Sequence, residues 1–284
     1  MFDRSRTLYA NVVGCVLMGL LSRGKGWLVA NHYALHIGLG VGVGGSVPSF
    51  SSWQLEASHA LFGIGSAGTG GQRVMEFVGI QVVGLSASLG ALSFGALAAE
   101  ACWPPPSSGA RAATAAPERR ASRQDLGLAA LCLLALALAA LAFAAGADDA
   151  VRTFVVLLAP VGVLGRFQLS RALNNKRALP YGTHAANMLG TAVAGAAYVF
   201  REEATGGGGA VDGVLLGFCG CLTTVSTLAT ELRGLAVDAR ASLKYGAASI
   251  AGAQVILAVV NGVYVAEWHG GGGGGSGGSA NATV

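Results

Sequence analysis

Apolar residues arrive here in long runs rather than in the short periodic patterns of soluble domains. Eight runs stand out, at about 8–22, 33–50, 74–98, 126–147, 153–173, 183–200, 211–229 and 243–265. Most approach the roughly 20 residues that carry an α-helix across a bilayer. LGLAALCLLALALAALAFAAGA at 126–147 holds no charge, and the first run is short. Two runs end in polarity: GVGGSVPSFSSWQLE (42–56) and GFCGCLTTVSTLATE (217–231) combine glycines, hydroxyls and a carboxylate. A lipid-facing helix tolerates few such groups, so these are expected breaks, placed where protein or a water-filled path supplies hydrogen-bond partners.

The two polar stretches align without a gap. Phe50 meets Val225, Ser51 meets Ser226, Ser52 meets Thr227, Trp53 meets Leu228 and Glu56 meets Glu231. Upstream, TLYANVVGCVLMG (7–19) aligns with THAANMLGTAVAG (183–195), matching Thr7 with Thr183, Asn11 with Asn187 and Gly14 with Gly190. An asparagine, a glycine break, a hydroxyl track and a glutamate recurring in one order mark an internal duplication. The run at 153–173, which holds Arg166, has no partner in the first half. The expectation is either a lost helix or a sequence that starts after it, truncation being favoured.

Composition agrees with a membrane chain: 53% of the 284 residues are hydrophobic and 11% charged, against about 25% in soluble domains. The net charge of +4 sits mainly in connections, which reads as orientation rather than a nucleic-acid surface. Most Lys and Arg fall in 23–27, 99–125, 171–179 and 233–244, which places those loops in the cytoplasm. The Asn11 and Asn187 helices then run in opposite directions. The expected fold is an all-α membrane protein of two inverted four-helix repeats, the first lacking its first helix, joined by a linker transmembrane helix. The parts are a first repeat at 1–99, a cytoplasmic linker at 100–125, the linker helix at 126–147, a second repeat at 151–266 and a Gly-rich tail at 267–284 with a sequon at Asn281.

Cys219 and Cys221 read as packing residues rather than metal ligands, and His32 and His36 as an interfacial pair. No nucleotide motif, metal triad or catalytic dyad appears, so no enzyme is expected. The chemistry lies in the breaks, where freed carbonyls hold ions. Ser49, Ser51 and Ser52, then Thr224, Ser226 and Thr227, with Asn11 and Asn187, can donate to an anion while staying neutral. The plainer alternative is that these groups glue helices together. Arg166 pairs with helix-end carbonyls, helps the field at a pore mouth, or snorkels at the interface.

The pattern RF…GT-x3-N-x2-G…GFCG-x-LTT-x-ST-x3-E resembles the CrcB/Fluc fluoride channels, and with SFSSWQLE in the first half it resembles their eukaryotic two-domain (FEX) form. That resemblance implies a passive fluoride-selective channel, multi-pass in the plasma membrane, exporting cytoplasmic fluoride from a single chain whose repeats form an internal pseudo-dimer in the lipid bilayer. It implies fluoride contacts from Asn11 and Asn187, and from the hydroxyl tracks of Ser51, Ser52, Ser226 and Thr227. It implies a structural sodium ion on the carbonyls of Gly45, Pro48, Gly220 and Thr223, and a polar track including Tyr245 and Ser249. The family's phenylalanine pair is Val225 and Leu228 in repeat two, and Phe50 and Trp53 in repeat one, so a single working pore is expected. Pro48 stands where the family has a threonine. Glu56 and Glu231 are expected at helix ends. The alternatives are a small inverted-repeat transporter of another substrate, for which such glutamates would be poorly placed, or an inactive truncated paralogue.

Overall fold

The computed structural model describes residues 4–64, 68–102, 137, 141, 150–174, 179–203 and 211–270. The linker helix expected at 126–147, apart from positions 137 and 141, and the tail with Asn281 lie outside the described residues, as does nearly all of the linker at 100–125. The described chain is helical, with no strand among the described residues. In the first half α1 (Arg4–Asn31) is followed by short α2 (Tyr33–Ile37), a π-helical turn π1 (Gly38–Gly44), α3 (Phe50–Phe62) and α4 (Gly70–Cys102). In the second half α5 (Ala150–Leu173) and α6 (Tyr181–Glu203) precede π2 (Gly213–Cys219), a single α-turn at Gly220–Leu222, α7 (Val225–Leu235) and α8 (Ala239–Gly270).

The duplication is visible at the level of irregularities. The π-turns occupy aligned positions, 38–44 and 213–219, and each leads through an extended residue, Ser49 or Thr224, into the next helix. A π-turn inside a helix is rare and marks local strain or function, and here two stand at matching positions. Counterparts are α1 and α6, α3 and α7, α4 and α8. Helix α5 has no counterpart among the described residues.

Five stretches are long and apolar enough to cross a membrane: Arg6–Gly26, Gly70–Ala101, Phe154–Leu173, Gly213–Leu235 and Ala239–Tyr264. Tyr33–Gly44 is apolar but shorter. Helix α6 is 23 residues long but carries Thr183, His184, Asn187 and Thr191 in its first half. Large apolar side chains such as Val82, Phe94, Leu164, Val255 and Val259 are exposed on the outer faces of the long helices. Such surfaces suit lipid rather than water as the surrounding solvent.

Inside, one apolar cluster joins the halves. Phe50 and Trp53 pack with Val225, Leu228, Ala229 and Leu232, so the two post-break helices bury against a shared core. Helices α1 and α4 meet backbone to backbone: a Cβ on Gly19 would lie 2.8 Å from the amide nitrogen of Ala96, and one on Gly95 would lie 3.1 Å from that of Leu20. Small residues permit this close crossing, which in lipid replaces the hydrophobic drive available in water. Helix α3 is buried from Phe50 to Ala60 apart from half-buried Ser52, and packs on α4, α6 and α8.

Candidate functional site

Each break is made by an asparagine. In an uninterrupted helix the amide of Ser49 would bond the carbonyl of Gly45; instead it donates to Asn11 Oδ1 at 3.0 Å. The amide of Thr224 would bond Gly220; it donates to Asn187 Oδ1 at 2.9 Å. The next helices then start on their own caps. Ser52 N donates to Ser49 Oγ and Thr227 N to Thr224 Oγ1, both at 3.3 Å, rather than to Pro48 O and Thr223 O. Two asparagines and two caps thus draw the helical amide away from four carbonyls, those of Gly45, Pro48, Gly220 and Thr223. These are neutral hard oxygen donors of the kind alkali and alkaline-earth cations take.

The asparagines also need room. A Cβ on Gly14 would strike the ring of Pro48, and one on Gly190 would strike Thr223 Cγ2. These glycines let each break sit against the helix that carries its asparagine.

The halves interlock at the breaks, asymmetrically. Thr223 Oγ1 takes the amide of Ser51 at 3.1 Å, lies 3.1 Å from Ser51 Oγ and donates to Cys219 O at 2.9 Å. Pro48, aligned with Thr223, has no hydroxyl, and Ser226 Oγ donates instead to Gly44 O at 2.7 Å. Arg166, 2% exposed, reaches from α5 to both breaks. It donates to Cys221 O at 3.1 Å, to Val41 O at 2.7 Å and to Ser46 Oγ at 3.0 Å, with its guanidinium against the bare backbone of Gly45. Of the readings open from sequence, the carbonyl-pairing one describes it.

The aromatic pair is in place. Phe50 and Trp53 stand edge to face, centroids 5.8 Å apart at 88°. Trp53 Nε1 donates to Ile80 O at 3.1 Å, satisfying its polar edge, and its ring lies over Gly84. Phe50 is fully buried, as are Ser51, Ser226 and Ser249.

Among the described residues, three cavities border this centre. The largest, about 550 Å³, is walled by Asn11, Ser49, Ser52 and Gly220 and by the charged Arg6, Arg201 and Asp212. Asn11 and Thr7 also border a second of about 390 Å³, which Trp53, Glu56 and Glu76 line. A third, about 250 Å³, is bordered by Lys25, His36, Arg166 and Thr227. Asn11 differs from Asn187 at its second polar atom. Asn187 donates Nδ2 to Thr224 O at 3.3 Å, whereas Asn11 Nδ2 makes no hydrogen bond among the described residues. Because Ser49 N–H requires an acceptor, Oδ1 is fixed toward it, and the NH2 of Asn11 is left as a donor beside the cavity.

Neither glutamate stands at a helix end, contrary to expectation. Glu56 is midway along α3, and Glu231 lies inside α7, held by Thr183 Oγ1 at 2.6 Å, Tyr245 OH at 2.6 Å and Asn174 Nδ2 at 3.2 Å. The Tyr245 hydroxyl is therefore engaged by Glu231, while Ser249 Oγ lies 3.3 Å from His184 Nδ1. Sequence reasoning missed Asn174, whose Oδ1 also caps the start of α6 through Gly182 N at 2.7 Å. It missed the amide cluster of Gln54, Gln81 and Gln254, with contacts of 2.8–3.2 Å across α3, α4 and α8. Thr183 was legible as the repeat partner of Thr7; the glutamines had no repeat or motif to mark them.

Among known proteins, a family match falls in the second half. Residues 153–263 match the family described as CrcB-like protein, Camphor Resistance (CrcB). The chain is 44% identical over 115 residues to fluoride export protein 1 of Neurospora crassa, covering 39% of this chain and 22% of that one. It is 41% identical over 125 residues to fluoride export protein 1 of Candida albicans, covering 38% of this chain and 32% of the relative. The aligned stretch thus spans a third or less of each curated relative. No solved structure gives a significant match.

Proposed function

We propose that this chain, whose residues 153–263 belong to the CrcB family, is a passive fluoride-selective channel that exports cytoplasmic fluoride across the plasma membrane. The family match and the names of the two fungal relatives support fluoride as the ion. The observation that carries the mechanism is Asn11: its oxygen is held by Ser49 N, and its NH2 is left to donate beside a cavity walled by Ser49 and Ser52. A small, strongly hydrated anion gives up its water only to matched hydrogen-bond donors, and neutral hydroxyls and an amide provide them without trapping it. Ring edges of Phe50 and Trp53 add positive quadrupole without a formal charge. Asn11 and Trp53 border the same cavity, while Asn187 is committed to Thr224 and the residues aligned with the aromatic pair are Val225 and Leu228. One conducting path is our reading.

A sodium ion fits the four carbonyls deprived of helical amides. Gly45, Pro48, Gly220 and Thr223 would hold it with neutral oxygens, and it would pin the two breaks together. The two halves act as an inverted pseudo-dimer within one chain. Export needs no fuel: hydrogen fluoride enters neutral, ionises inside, and the anion leaves down a negative-inside potential at about 2.3 kcal/mol per charge per 100 mV.

The test is complementation. The full-length chain should restore growth to fluoride-sensitive cells lacking fluoride efflux. Continued sensitivity with the protein at the surface would refute the assignment.

A further inference from the structure

The cavity bordered by Asn11, Ser49 and Ser52 has charged walls that the fluoride reading leaves unused. At one rim the Arg201 side chain, at the end of α6, lies side-on to Asp212, the residue preceding π2. The Nε–Oδ1 distance is 2.8 Å and Nη2–Oδ2 is 3.5 Å. Both stay partly exposed, at 33% and 21%. Arg6 lines the same cavity.

The third cavity is this cavity's repeat equivalent. Thr227, Gly40 and Val41 line it where Ser52, Leu215 and Leu216 line the first. Lys25 lines it at the position aligned with Arg201, when Asn11 is set on Asn187. The duplication has therefore kept a cation on the wall of both cavities. Among the described residues only the larger one pairs that cation with a carboxylate; with the two π-turns set on each other, the position aligned with Asp212 is Ile37. Paired cations can be structural clamps, but a clamp needs no cavity, and nothing in a clamp requires its charge to recur at the aligned position of the other repeat.

We propose that Arg201, held side-on by Asp212, is the cation that draws the anion into the cavity walled by Asn11, Ser49 and Ser52. The inference rests on the fluoride-channel reading. A fixed cation in a low-dielectric cleft raises the local anion concentration, most strongly when the bulk anion is dilute and salt is low. Asp212 fixes the guanidinium at the rim and offsets part of its charge, so ions are attracted without being held. Removing Arg201 weakens attraction, and removing only the Asp212 charge strengthens it.

The experiment records fluoride currents through the full-length chain in planar bilayers, in symmetric solutions from dilute to concentrated fluoride. The expected result is that Arg201→Gln lowers conductance about 3- to 10-fold in dilute fluoride and converges on the parent at high concentration. Arg201→Lys keeps most of the conductance, and Asp212→Asn raises it in dilute fluoride. A clamp predicts instead that Arg201→Gln and Asp212→Asn lower conductance alike at every concentration, and that result overturns the proposal. So does an Arg201→Gln trace that overlays the parent, or an Arg201→Lys trace that matches Arg201→Gln. If the parent chain itself carries no fluoride current, the channel reading fails and this inference falls with it, an outcome distinct from the others.

Discussion

The hydroxyl of Thr223 accepts the backbone amide of Ser51 at 3.1 Å, joining the second break to the first turn of the helix that follows the first. Both groups are buried. Thr223→Val keeps shape and removes the acceptor, which leaves a buried amide unpaired at a cost of about 1–3 kcal/mol. Thermal unfolding in nanodiscs should show this loss, and Thr223→Ser should recover most of it. A valine variant as stable as the parent would mean that the contact contributes nothing.

The two asparagines should separate stability from flux. Asn11→Asp retains an oxygen for Ser49 N but exchanges the NH2 donor for a second oxygen, so the chain should fold while fluoride flux falls, by about 100-fold if the barrier rises about 2.7 kcal/mol. Asn187→Ala removes two hydrogen bonds at the other break and should chiefly lower stability. Flux assays on liposomes matched for protein content decide it. Equal flux losses from Asn11→Asp and Asn187→Asp would contradict the single path.

Gly84 is the seat of Trp53. A methyl there would approach the indole nitrogen to 2.5 Å and push the ring off Ile80 O. Overpacking of this kind costs about 1–3 kcal/mol. Gly84→Ala should change the tryptophan emission spectrum and reduce fluoride flux together. An altered spectrum with unchanged flux would remove Trp53 from the path.

Arg166 ties both breaks to α5. Arg166→Met leaves Cys221 O, Val41 O and Ser46 without this donor and should destabilise the chain by several times the roughly 1 kcal/mol of one hydrogen bond. Lysine cannot present a planar fork to separated acceptors, so Arg166→Lys should rescue only part. Complete rescue in thermal unfolding would show that charge alone matters.

On the proposed sodium site, sodium should stabilise the fold and potassium should do so less, because neutral carbonyl oxygens hold the smaller cation more strongly. Melting temperature in equal concentrations of the two salts measures this. Indistinguishable melting would count against a cation at the breaks.

Much of this centre was legible because it was written twice. Asn11 and Asn187, the glycines beside them and the hydroxyl tracks could be matched by alignment, and the breaks fall where glycine and hydroxyl content places them. The aromatic substitution at Trp53 was equally readable. Other parts were hidden because partner choice in three dimensions leaves no periodic trace. Nothing local in the sequence says that Glu231 collects Thr183, Tyr245 and Asn174, or that Arg201 turns to Asp212 rather than to solvent. Distance from helix ends misled in the same way: Glu56 and Glu231 looked terminal because the apolar runs end near them, yet helices continue past a hydrophobic boundary.

The mismatch between Pro48 and Thr223 has a genetic corollary. In an assembly of two identical chains, any substitution at a break strikes both breaks at once, so a proline at one and a threonine at the other cannot coexist. Encoding both breaks in a single polypeptide lifts that restriction. Each break can then change without changing the other, a freedom open to one chain that carries both breaks and closed to a pair of identical chains.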